Sequence, residues 1–173
     1  PLEWGNYREA VFDNPPVLTA IRSSAIISIG AMVLTLVLAA PAAYALARLR
    51  LRGGTVVILV LLISQLLPSI VVAGPLFVLF SRIGLVNSYS GLILADVSIT
   101  LPFAVIILRP FFLSVPMELE SAALVDGNTR LGAFVRIVLP LVRPGLVTVA
   151  AFAFLFTWGE FIFGLSLTTK ENV

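Results

Sequence analysis

Four long apolar runs, separated by short polar stretches, set the pattern of this chain: Ser23–Ala47, Gly53–Ser81, Ile83–Leu108 and Pro144–Thr169. Together they hold 106 of the 173 residues but only two charges, Asp96 and Glu160, whereas the remaining 67 residues carry the other 18. Each run exceeds the roughly 20 residues that a helix needs to cross about 30 Å of hydrocarbon. Their continuous apolarity predicts helices, because barrel strands would be about ten residues long and alternating. The expected fold is therefore all-α, a polytopic transmembrane helical bundle with spans at about 21–47, 54–81, 88–113 and 143–167. Pro68 and Pro75 should kink or locally break the second span, since proline removes a backbone donor and clashes with the preceding turn. Such a kink either borders a cavity or serves packing alone.

Charge decides orientation. Arg48, Arg50 and Arg52 follow the first span, while Arg109, Arg130, Arg136 and Arg143 surround the polar segment 114–142. The positive-inside rule puts both places in the cytoplasm, and the two intervening spans return the chain to one side as that requires. Residues 1–20, the loop around Arg82–Tyr89 and the tail from Lys170 are then extracytoplasmic. Trp4, Tyr7 and Val11 recur at helical spacing until Asn14-Pro15-Pro16 stops the pattern. This stretch reads as an interfacial helix or, equally well, a partly ordered tail.

Composition narrows the chemistry. At 60% hydrophobic, 12% charged and a mean hydropathy of +1.11, a water-soluble monomer is excluded, because soluble domains average about 45–50% apolar and about 25% charged. The absence of histidine and cysteine removes thiol and imidazole catalysis and Cys/His zinc sites, so no catalytic or metal-ligating residues are assigned. A net charge of +2 gives no reason to expect nucleic acid. Residues 1–22 contain Glu3, Glu9 and Asp13 without an apolar h-region, so no cleavable signal is read. The start at Pro1 suggests a piece of a longer chain.

The polar interlude carries the strongest signal. Pro116 opens a short predicted helix whose Glu118 and Glu120 complement the positive end of the helix dipole. Gly127-Asn128-Thr129 reads as a turn, with Gly127 suited to a left-handed backbone and Thr129 to an N-cap. In the next helix Leu131, Phe134, Val135 and Val138 should form one apolar stripe, and Pro140 should end it before Pro144 begins the last span. Two small helices at the inner face could form a lid on the bundle. They could equally be a docking element, with Ala122-Ala123 as a small flat patch.

The spacing Ala122-Ala123, three residues, Gly127, nine residues, Ile137-x-Leu139-Pro140 resembles the EAA motif of permease subunits of binding-protein-dependent ABC importers. The order of elements over essentially the whole chain is similar too. Asp126-Gly127-Asn128-Thr129, Ala43-Tyr44-Ala45-Leu46-Ala47-Arg48 and Phe156-Thr157-Trp158-Gly159-Glu160-Phe161 resemble segments of the carbohydrate-uptake, maltose/trehalose-type branch. The resemblance implies a single permease domain over 1–173 with the type I importer fold, four of the family's usual six spans being present. It implies that Glu120, Ser121, Ala122, Ala123, Asp126 and Gly127 contact a separate ATPase. Its implied partners are a second permease subunit, two ATP-binding subunits, an extracytoplasmic solute-binding protein, a di- or oligosaccharide and membrane lipid. ATP and Mg would sit on the ATPase, with no cofactor on this chain, and the location would be the bacterial inner membrane. One departure stands out: Ser121 occupies the family's glutamate position and Glu120 lies one residue earlier, a shift that turns a helical side chain by about 100°.

The chain holds no G-x-x-x-x-G-K-[ST] run, so energy from ATP would have to come from a separate polypeptide. Intramembrane acids usually face a bundle interior or water, so Asp96 and Glu160, with Trp158 as a stacking surface, are candidates for the solute path. The alternative for Asp96, favoured by its closeness to Ser88-Tyr89-Ser90, is a place near the outer interface. The alternative for Glu160 is pairing with a companion subunit. Arg22 and Arg109 read as snorkelling anchors. Competing functions are a permease for polyamine, phosphonate or glycerol phosphate, an embedded enzyme if Asp96 and Glu160 form a dyad, or a membrane scaffold.

Overall fold

The computed structural model describes residues 15–49 and 52–169. Among them are eight helices and no strand: α1 Pro15–Arg48, α2 Gly54–Ser64, α3 Ser69–Ile83, α4 Tyr89–Ser114, α5 Met117–Val125, α6 Arg130–Leu141, α7 Arg143–Gly159 and α8 Ile162–Leu167. The amphipathic stretch within residues 1–14 and the tail from Lys170 lie outside the described residues. Only α1 and α4 are long and apolar enough to cross a membrane unaided; α2 with α3, and α6 with α7, pass as bent pairs of 101° and 77°.

The second predicted span breaks at Gln65–Pro68, where Pro68 is extended (ψ 140°), while Pro75 sits inside α3 without interrupting it. Polar groups exposed at a break in lipid need a partner, and the Gln65 amide donates to the Ile99 carbonyl of α4 at 3.2 Å. One expectation needs correction. The last span is not continuous: Glu160 is extended (ψ 124°), and α8 restarts two residues later. As expected, α6 ends beside Pro140, at Leu141, and the chain bends by 77° before α7. The middle of α6, Phe134–Val138, is π-helical, and the Leu139 N–H reaches back to the Phe134 carbonyl. The wider turn accommodates, next to the helix end, a proline that an α-helical ladder would reject for want of a donor and for its ring clash.

α1 packs along α4, and α7 crosses both. Ala31, Ala39, Ala43, Ala95 and Ala104 are fully buried on these faces, small residues that let backbones approach where lipid supplies no hydrophobic drive. At mid-height the Thr35 and Thr100 hydroxyls meet at 2.7 Å. Leu108, Phe112, Phe134 and Val149 belong to a cluster at the Arg48 end, and Phe80, Leu92, Phe163 and Leu167 to a second one at the Tyr89 end. Ser23 reaches Tyr89 at 3.0 Å, and the Asn87 side chain holds Thr169. Large apolar side chains such as Leu66, Val147 and Leu155 are more than 60% exposed, a surface suited to lipid or to further protein rather than water.

The α3–α4 corner is a tight point. A Cβ on Gly91 would lie 2.1 Å from the Leu85 carbonyl oxygen, and the Gly91 N–H caps α4 through the Ser88 hydroxyl at 3.1 Å. Gly91→Ala should therefore cost about 1–3 kcal/mol, read as earlier unfolding in a detergent denaturation series. Gly74→Ala, with open space around it, should stay within about 0.5 kcal/mol. Equal midpoints would remove the steric argument.

Candidate functional site

The polar interlude forms a helical hairpin held by local chemistry. Pro116 is extended and starts α5. At its end Gly127 takes φ +85°, its N–H bonding Leu124 and that of Asn128 bonding Ala123, a left-handed termination that suits glycine. Thr129 then caps α6 by accepting from the Gly132 N–H at 3.0 Å. The glycine turn and the threonine cap were both legible from sequence. Along the predicted stripe Phe134 and Val138 are buried, whereas Leu131 and Val135 are 70% and 50% exposed, and Leu131 borders the same cavity as Phe134.

Ser121, Ala122, Leu124, Asp126 and Gly127 are all exposed, with Val125 87% exposed at the tip; Ser121 and Leu124 border a groove shared with Tyr44, Arg48 and Phe134. Ala123 faces the bundle at 3%. Glu120 is also turned inward. Its Oε1 lies 2.7 Å from Arg48 Nε, as an ion pair rather than an aligned hydrogen bond, and its Oε2 accepts from the Tyr44 hydroxyl at 2.8 Å. The Arg48 guanidinium also donates to the Val115 carbonyl, and Tyr44 packs against Phe112 and Phe134. Glu120 thus ties the hairpin to the end of α1, while Ser121 stays on the surface and bonds back to Met117. The one-residue offset noted in the sequence has this structural counterpart. Sequence reasoning passed over Tyr44 and Arg48 as partners of Glu120, because 76 and 72 residues separate them.

Near the other end, a cavity of about 460 Å³ opens among α1, α4, α7 and α8. Asp96, Trp158 and Glu160 all line it, with Ser23, Ser24 and Thr157. Asp96 stands two turns into α4 and is 3% exposed. Glu160 uses both carboxylate oxygens to accept the Ile162 and Phe163 N–H groups, at 3.1 and 2.7 Å, capping the restarted helix. No hydrogen bond joins the two carboxyls among the described residues, so the dyad of an embedded enzyme is not assembled. Trp158 is 45% exposed and stacks on Phe154. Thr157, buried beside the cavity, was missed; a lone threonine in an apolar run gives no signal of where it points. Arg22 is exposed, whereas Arg109 turns to the Leu46 carbonyl at 3.4 Å and links α4 to α1.

Comparison with known proteins agrees with this geometry. Residues 39–172 match the family described as binding-protein-dependent transport system inner membrane component. The chain is 40% identical over 170 residues to a trehalose transport system permease protein of Mycobacterium tuberculosis, covering 98% of this chain and 62% of that one. It is 37% identical over 150 residues to a diacetylchitobiose uptake system permease protein of Streptomyces coelicolor, covering 87% and 50%. The chain therefore spans roughly half to three-fifths of the length of such relatives. The crystal structure of a bacterial ABC transporter that imports the acidic polysaccharide alginate superposes with a TM-score of 0.82 at 24% identity, over 94% of this chain and 57% of that one. At that identity the likeness establishes the fold alone, a helical bundle. With the family model matching most of the sequence, the chain belongs to the inner membrane components of binding-protein-dependent transport systems.

Proposed function

We propose that this chain forms part of a permease subunit of an ATP-driven sugar importer. A companion permease, two ATP-binding subunits and an extracytoplasmic solute-binding protein would complete the assembly, with ATP and Mg held by the ATPase subunits. The observation that carries the reading is the hairpin: small and apolar residues are displayed at its tip while Glu120, Ala123 and Phe134 fasten its back to the bundle. A rigidly anchored helix with an exposed small-residue face suits insertion into a partner's groove. The names of the trehalose and diacetylchitobiose relatives support sugar as the cargo class. The cavity holding Asp96, Trp158 and Glu160 is the part of the solute path that this chain supplies.

The chain contains no cysteine, which makes the test direct. In the full-length subunit, Val125→Cys should crosslink to a cysteine placed on the partner ATPase. The yield should change between nucleotide-free and ATP-bound states. A cysteine at Val147, 67% exposed on α7, should give no such product. Failure of Val125→Cys to reach the ATPase in either state would overturn the docking role.

A further inference from the structure

The groove between the hairpin and the end of α1 has no role in the docking of the hairpin's tip. It measures about 420 Å³, within the usual range of small-molecule sites, about 300–1,000 Å³. Three helices each turn one face to it, through Pro41 and Arg48 of α1, Met117 and Leu124 of α5, and Arg130 and Leu131 of α6. Ala122 and Val125, placed above at the ATPase contact, lie outside it.

Its position suits a lipid. Arg48 ends α1 among the arginines that mark the cytoplasmic side. Pro41, exposed and seven residues earlier, stands about 10 Å further toward the middle of the membrane at 1.5 Å per residue. The groove therefore runs from headgroup level into the hydrocarbon. A soluble peptide following it inward would carry backbone groups that lipid cannot pair. Met117, Leu124 and Leu131 are 61%, 43% and 70% exposed, apolar surface that gains by being covered. The charge is uneven as well: two arginines, Arg48 and Arg130, face one glutamate, Glu120, a net of +1. Glu120 is committed to Arg48 and Tyr44, and Arg130 makes no ion pair among the described residues.

A phosphodiester brings one negative charge, and a guanidinium can grip two of its oxygens at once. We propose that the groove holds one anionic phospholipid of the inner leaflet, its phosphate on Arg130 and an acyl chain laid along Pro41. A zwitterionic headgroup carries its own cation and offers Arg130 no net charge. Bound there, the lipid joins α6 to α1 beside the Glu120 tie. The site depends on neither the cargo nor the ATPase contact.

The test uses the full-length subunit with its natural partner chains in phosphatidylcholine nanodiscs. A trace of phosphatidylglycerol or of phosphatidylcholine, each with a photoactivatable acyl chain, is added, and labelled peptides are read by mass spectrometry. The phosphatidylglycerol probe should label the segment 117–134 about fivefold more than the phosphatidylcholine probe, the preference that one arginine gives near an anionic lipid. Arg130→Gln should remove the preference and Arg130→Lys should keep most of it. Arg143→Gln, at an exposed position on α7 outside the groove, should leave it intact. Because Arg130 is exposed and unpaired, neither of its variants should change thermal unfolding in discs of phosphatidylcholine alone. Equal labelling by the two probes, or an equal loss in Arg143→Gln and Arg130→Gln, would overturn the proposal. So would displacement of the probe by inorganic phosphate, which marks a site for a free anion, or labelling seen only after the partner chains are stripped, which marks a surface covered by protein.

Discussion

Ala122→Trp is expected to abolish coupled uptake while leaving the bundle folded. Ala122 lies on the exposed side of α5 beside Ser121 and Val125, so an indole there meets no neighbour within the chain. Stability should change by no more than about 0.5 kcal/mol, as at other exposed positions. A docking surface built from small side chains depends on close approach, and a bulky anchor in its middle forces the two surfaces apart. Uptake in reconstituted vesicles should fall about a hundredfold, with solute-stimulated ATP hydrolysis lost in parallel, a loss of the size seen when the centre of an interface is disturbed. Ala122→Ser, hardly larger, should retain most of both activities. Wild-type uptake and stimulation in Ala122→Trp would remove Ala122 from any coupling contact.

Arg48→Ala should be the most destabilising single change in the hairpin's anchorage. Arg48 and Glu120 side chains are 7% and 15% exposed and 2.7 Å apart. Removing the arginine strands a carboxylate that keeps only the Tyr44 hydroxyl and frees the Val115 carbonyl. Breaking one half of a buried pair costs about 3–5 kcal/mol, whereas replacing both halves with well-packed apolar groups is often close to neutral. Arg48→Met with Glu120→Leu should therefore recover most of the stability that Arg48→Ala loses in a detergent unfolding series. The single variant should also lower the Val125→Cys crosslink yield, because the hairpin loses its tie to α1. If the single and the double variant are equally unstable, the ion pair is not what holds the hairpin.

The readable features of this chain were those encoded locally. Apolar runs marked the spans, Pro68 marked a break, and Gly127 with Thr129 marked a turn and a cap, because each acts through its own backbone within a few residues. The unread ones depend on distance or on a neighbour. The Tyr44–Arg48–Glu120 cluster joins the end of one span to a hairpin two spans later, and no periodicity reports such a meeting. The burial of Asp96 depends on the angular position it takes on α4 against α1 and α7, which its sequence neighbours Ser88-Tyr89-Ser90 do not report. The interruption at Glu160 was hidden because the residues on either side are as apolar as any span. What stops the helix there is a side chain that satisfies two N–H groups of the next one, and that requires knowing how the backbone bends.

The attachment of α8 to α3 bears on how the protein is made. Phe163 and Leu167 pack with Ala73, Phe80 and Leu92, and Thr169 closes onto Asn87, so a segment that leaves the ribosome well after α3 seals a layer begun about eighty residues earlier. Until that segment is inserted, the earlier spans wait in the bilayer with the Asp96 flank uncovered. A nascent chain arrested before residue 160 should accordingly remain associated with insertion machinery, and release of these spans into lipid should follow only once α8 has arrived.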